Sequence, residues 1–94
     1  MKYNKTFIPE DKKHKFIKDA VNQMFLHAKI SKTFEDAIKE ESYHNSHMIS
    51  KNDEKRFANW FVKEFQNRFK INRRRAEEEF SYFWILWGIK TEYD

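Results

Sequence analysis

The sequence predicts an all-α fold, a compact bundle of four helices, and three observations carry that prediction. Apolar residues recur with helical period in four separate stretches. The chain holds one glycine and one proline, too few for the tight turns of a β-rich fold. Residues suited to capping stand just before three of the four stretches. With 94 residues, positions 1–94 read as a single helical domain.

The first predicted helix runs from about Pro9 to Ala28. Proline suits a first turn, where its missing N–H is not needed, and Glu10 and Asp11 suit the positive end of the dipole. Its apolar stripe is Phe16, Ile17, Ala20, Val21, Met24, Phe25 and Ala28. The second predicted helix starts near Thr33, which forms with Asp36 a capping box with a shortened acid. Phe34, Ala37 and Ile38 are its inward-facing residues. Tyr43 to Ser50 is polar and aperiodic and reads as a solvated connector. Ser50 and Asp53 are the next cap-like pair. They open a third helix whose Phe57, Phe61, Phe65 and Phe69 recur every four residues, with Trp60 beside them. Asn72 caps the fourth helix, which begins at Arg73 and stops at Gly88.

An internal echo runs through these elements. Residues 16–30 and 57–71 align at a spacing of 41: Phe16 matches Phe57, Val21 matches Val62, and Lys29-Ile30 matches Lys70-Ile71. Each copy reads as a long helix, a tight lysine-isoleucine turn and a second helix. The pattern suggests two pseudo-repeated helical hairpins.

Composition narrows the function. A chain this short buries only about 60–65% of its unfolded surface, and aromatic residues, 18% of this one, supply large buried area per residue. There is no cysteine, hence no disulfide framework, thiolate nucleophile or cysteine zinc site, and a reducing cytoplasm is the natural expectation. No apolar stretch follows Met1-Lys2, which argues against a secretory leader. The longest apolar run, 80–89, is broken by Ser81 and is about half the ~20 residues of a membrane span. There is no Gly-rich phosphate loop and no carboxylate isolated on an apolar face. Neither a catalytic residue nor a cofactor is expected.

The net charge is +4, and the two halves of the chain are equally basic. Every arginine nevertheless lies in the second half, at 56, 68, 73, 74 and 75. Arginine's planar fork suits phosphate and carboxylate. Arg68, Lys70, Arg73, Arg74 and Arg75 surround the turn between the third and fourth helices. In a helix-turn-helix reader the second helix presents its first residues to the major groove. Arginines and backbone amides at such a turn also hold phosphates. The plainer reading is an internal ladder, since Arg73–Glu77, Arg74–Glu78 and Arg75–Glu79 are each four apart. That order, cations at the helix start and acids behind them, opposes the dipole. Reversing the blocks would stabilise the helix by about 1 kcal/mol, so the arrangement suggests a partner. Lys12 and Lys15 enlarge the same basic surface if the first helix lies beside this turn; otherwise, with Lys13 and Lys18, they form an ordinary solvated face.

The fourth helix ends in Phe80-Ser81-Tyr82-Phe83-Trp84-Ile85-Leu86-Trp87, apolar nearly all round. Either it is the central helix, covered by the other three, or one face is an interface. Trp84, Trp87 and Phe83 are the candidate anchors, and a homodimer through this helix is the simplest version. Base stacking on these rings is a weaker reading, because no arginine interleaves with them. Glu40, His44 and His47 would share a face only if the second helix continued that far. No second cluster completes a site, so no metal is expected.

Phe25-Leu26-His27-Ala28, a short turn, and Lys32-Thr33-Phe34-Glu35-Asp36-Ala37-Ile38 resemble a small bacterial domain of unknown function that often accompanies SAP modules. That family's pattern is an apolar–tryptophan–apolar helix end, a Gly-Lys-Thr turn, and an Asp-Ala-Ile helix closing on tryptophan. Phe57-Ala58-Asn59-Trp60-Phe61 is similar to the earlier half of the pattern. The chain departs from it at Phe25 in place of the tryptophan, Ser31 in place of the glycine and Glu41 in place of the closing tryptophan. The resemblance implies a nucleic-acid setting by association, since SAP modules bind DNA, and brings no catalytic residue.

The functional expectation is a small cytoplasmic, non-enzymatic module of bacterial or phage type that binds nucleic acid through residues 68–75. The alternative is a protein–protein adaptor or inhibitor of the kind mobile elements encode, meeting an acidic partner with the same arginines or using the aromatic helix end.

Overall fold

Helix α1 (Glu10–His27) begins where Pro9, one position before the first turn, accepts the Lys13 N–H at 3.0 Å. The computed structural model describes residues 8–92. The start after Met1-Lys2 and the two ends of the 1–94 domain lie outside them. Five helices follow in order: α1, α2 (Phe34–Lys39), α3 (Tyr43–Ser46), α4 (Lys51–Phe69) and α5 (Arg73–Trp87). Strand β1 (Met48–Ile49) precedes α4 and β2 (Lys90–Thr91) follows α5. The bundle is all-α apart from this two-residue parallel ladder, in which Met48 faces Lys90 and Ile49 faces Thr91.

The helix starts rest on side-chain caps at the predicted residues. Thr33 Oγ1 accepts the Asp36 N–H while the Thr33 N–H donates to Asp36 Oδ2 at 2.9 Å, a complete capping box. Ser50 Oγ accepts the Asp53 N–H at 3.1 Å, and Asn72 Oδ1 accepts the Arg75 N–H at 2.8 Å. Each such cap contributes about 1 kcal/mol.

The lysines of both turns in the internal echo have positive φ. Among the described residues, Lys29 and Lys70 are the two non-glycine residues with positive φ, at 62° and 56°. After α1 the Ile30 N–H reaches Phe25 O at 2.9 Å and the Lys29 N–H reaches Leu26 O at 3.1 Å, which is a Schellman motif. After α4 a single bond runs from the Lys70 N–H to Gln66 O at 2.8 Å, the simpler left-handed end.

The central helix is α4, not the aromatic α5. Phe16 of α1 packs on Phe61 and Phe65 from one side, with ring centroids 4.9 and 5.1 Å apart. Phe80 and Phe83 of α5 pack on Phe61 from the other, at 5.3 and 5.1 Å. Phe16, Phe25, Phe57, Phe61 and Phe65 are almost wholly buried, which accounts for the four-residue spacing of the α4 phenylalanines. The Cα extents of 43 × 30 × 18 Å describe a flat molecule, under two helix diameters thick. A flat bundle with α4 in the middle leaves the far side of α5 uncovered.

Two expectations fail locally. Ile38 is exposed, not inward-facing. The six-residue α2 meets the core along a narrow face holding Phe34 and Ala37, and Ile38 lies about 100° round from Ala37. The 43–50 stretch is not a solvated connector. Tyr43 and Ile49 are buried, the Tyr43 hydroxyl donates to Trp87 O at 3.3 Å, and His44 Nδ1 lies 2.8 Å from Gly88 O. The Glu92 N–H donates to Ile49 O at 2.8 Å, and the Thr91 hydroxyl donates to Glu54 Oε1 at 2.8 Å. This segment folds onto the chain leaving α5, whose C-terminal carbonyls need partners outside the helix.

Candidate nucleic-acid interface

The end of the molecule where α1 starts, α4 ends and α5 starts is its basic pole. Residues 10–19 and 63–79 carry ten Lys and Arg against seven Asp and Glu. The remaining described residues balance at seven each. Halving the sequence hid this, because antiparallel packing joins an early segment to a late one.

The cations at the pole fall into two groups. Arg68 is a strap between helices: its Nη1 meets Asp19 Oδ2 of α1 at 2.9 Å, its Nε meets Glu64 Oε2 at 3.0 Å, and its guanidinium lies 5.1 Å from the Phe16 ring centroid. Burial works against its charge, but the two carboxylates outweigh burial and raise its pKa above the ordinary arginine value. Arg75 is largely covered and meets Glu79 Oε2 at 3.1 Å. The other oxygen of Glu79 takes Lys13 Nζ at 3.3 Å, which ties α5 to α1. These two arginines are committed to the fold.

The second group faces water. Arg74 is 90% exposed with its Nε 4.0 Å from Glu78, and Arg73 is 65% exposed with its Nε 2.9 Å from Glu77. The predicted ladder is therefore present in full, but its two outer pairs are solvent-screened and weak. Lys12, Lys15 and Lys70 are exposed and meet no carboxylate among the described residues. Lys12 and Lys15 do lie beside Arg68: with Asp19 and Phe69 these residues line an open depression of about 430 Å³.

The α4–α5 turn departs from helix-turn-helix geometry. Phe57, twelve residues before the end of α4, touches Trp84 near the end of α5, with centroids 6.0 Å apart. The two helices run side by side as an antiparallel hairpin, whereas a helix-turn-helix pair diverges at about 90–120°. The start of α5 thus forms one corner of a basic surface and does not project from it.

The aromatic anchors also sort differently from expectation. Phe83 is buried in the core and is unavailable to a partner. Trp84 packs on Phe57 and Phe80, and Trp87 packs on Phe34 at 5.3 Å, so both are half-buried. The exposed apolar set is Tyr82, Ile85 and Leu86, with Ile85 at 77%. A helical wheel anchored on buried Ala76 and Phe83 finds it, since Ile85 lies about 200° round from Phe83. Between this set and α1 is a cleft of about 200 Å³, lined by Ile17, Phe61, Phe65, Tyr82, Leu86 and Trp87 and rimmed by Lys13 and Glu79.

Glu40, His44 and His47 do not converge. Helix α2 ends at Lys39, His44 turns to Gly88 O, and His47 Nε2 lies 3.9 Å from Glu40, which also meets Lys32. Among the described residues no three His, Asp or Glu side chains are grouped to hold a metal ion. No helix among them is long and apolar enough to cross a membrane. No protein family, curated protein or solved structure matches this chain.

Proposed function

We propose that this protein is a non-enzymatic nucleic-acid-binding module that grips backbone phosphates at its basic pole. The observation behind this reading is the pole itself: the whole cationic excess of the described residues collects there, with Lys12, Lys15, Lys70, Arg73 and Arg74 exposed. Phosphate contacts from such residues supply affinity and orientation and little sequence information. The antiparallel hairpin favours backbone contact over insertion of α5 into a groove, and Glu77 and Glu78, one turn behind, limit how far α5 can approach a strand. Arg68 and Arg75 act from behind, holding α1, α4 and α5 in register. The resemblance of residues 25–38 to a domain that accompanies DNA-binding modules supports the same setting, and the lack of cysteine fits a cytoplasmic site of action.

Fluorescence anisotropy with mixed-sequence duplex and single-stranded DNA tests the proposal. Phosphate contact predicts affinity that falls steeply with salt. A Lys70→Ala, Arg73→Ala, Arg74→Ala variant should keep its stability and lose most of the binding. Absence of binding at low salt would reject the reading. It would favour the adaptor alternative, in which the same cations meet an acidic protein.

A further inference from the structure

We propose that the exposed face of α5 is covered by a second copy of this chain, in an antiparallel two-fold pairing centred near residues 83–84. The duplex-spacing part of this inference rests on the nucleic-acid reading above; the pairing itself does not.

Tyr82, Ile85 and Leu86 lie within four residues of one another on a single side of α5, and all three are mostly exposed. Apolar side chains clustered this way mark an interface. The 200 Å³ cleft next to them is walled by Ile17, Phe61, Phe65 and Trp87. Its apolar walls suit an aliphatic or aromatic knob of the kind the same face presents, so the surface is self-complementary, as a two-fold interface requires.

Charge selects the orientation. No charged residue lies between Glu79 and Lys90. A parallel pairing sets each glutamate block beside its own copy, which is repulsive. The antiparallel pairing sets Glu78, which shares the face of Tyr82 and Ile85, level with the other copy's chain beyond Trp87, where the first charge is the exposed Lys90. It also opposes the two helix dipoles. With three exposed apolar side chains at its centre, the pairing is of the reversible rather than the obligate kind.

The pairing has a geometric consequence. At 1.5 Å rise per residue, Arg73 lies about 16 Å from a dyad at 83–84, which sets the two basic poles about 30 Å apart. The two-fold axis holds both poles at the same height. Successive turns of duplex repeat at about 34–36 Å, so one dimer meets the same strand face twice. Joining two weak sites in this way raises avidity without new contacts.

Sedimentation equilibrium of the full chain without nucleic acid, from low micromolar to submillimolar concentration, is the deciding experiment. Wild type should self-associate; Ile85→Glu should be monomeric with unchanged helix content; Leu26→Glu, at an equally exposed position on α1, should associate as wild type. A wild type that stays monomeric throughout overturns the proposal and leaves the face to another occupant. Association that survives Ile85→Glu, or that Leu26→Glu abolishes, overturns the location. With duplex of about two turns, the monomeric variant should bind at least tenfold more weakly, with a salt slope roughly halved. Self-association without any DNA binding would overturn the nucleic-acid reading and uphold the pairing.

Discussion

The Tyr43 phenol should make this protein alkali-sensitive in a way that one substitution removes. Tyr43 is buried, and burial pushes its pKa up to about 12, against an ordinary value of 10. The folded state therefore holds the proton more tightly than the unfolded one. Its stabilising effect is complete below pH 10 and is lost as pH rises through the window from 10 to about 12. By pH 11 this linkage removes about 1.4 kcal/mol, and across the whole window between 2 and 3, about 1.36 kcal/mol per unit. At pH 8 the hydroxyl's bond to Trp87 O favours wild type over Tyr43→Phe by about 0.5–1.5 kcal/mol. The two proteins should thus be nearly equal near pH 11, with the phenylalanine variant ahead beyond it. Urea denaturation of both at a series of pH values measures the difference, and taking the difference cancels lysine deprotonation, which both share. Ultraviolet titration of the phenolate band gives an independent reading: wild type should show a late-ionising step that Tyr43→Phe lacks. A stability difference that stays flat from pH 8 to pH 11 would refute the argument from burial.

Three further outcomes follow from the same geometry. Gly88→Ala should destabilise by about 1–3 kcal/mol in urea denaturation. Gly88 has φ −65° and ψ 145°, open to any residue, but an added Cβ would lie 2.5 Å from Trp84 O and 2.6 Å from its indole; an unchanged midpoint would contradict this. Lys29→Gly and Lys70→Gly should each raise the stability measured in urea by up to about 1 kcal/mol, because both lysines have positive φ, a strain for an L-residue that glycine's larger entropy loss only partly offsets. His27 has its pKa lowered, chiefly by burial, with Arg56 adding to this and Asp53 opposing it. Its contribution is complete above the ordinary histidine pKa of 6.5 and is lost as pH falls below it, so His27→Gln should show a shallower loss of stability between pH 7 and 5.

Local features of the fold were legible because their causes are local. A capping hydroxyl and the amide it accepts lie three residues apart, so Thr33–Asp36, Ser50–Asp53 and Asn72–Arg75 could be read from spacing. The phenylalanine stripe of α4 follows from 3.6 residues per turn, and the 41-residue echo anticipated a tight turn at each lysine-isoleucine pair, where both lysines have positive φ. The arginine–glutamate ladder was legible for the same reason.

Only tertiary structure decided which helix is surrounded, and most of the rest follows from that. Placing α4 in the middle buries Phe83, half-buries Trp84 and Trp87, and leaves Tyr82, Ile85 and Leu86 in water, although all six look alike in sequence. It also separates Arg68 and Arg75, bound to carboxylates of the fold, from Arg73 and Arg74, which are exposed. The docking of Tyr43 and His44 onto the carbonyls of Trp87 and Gly88 joins residues 44 apart in the chain, and no short-range pattern encodes such a contact. Periodicity states that a helix has an apolar side; which part of that side is covered depends on long-range packing of the whole chain.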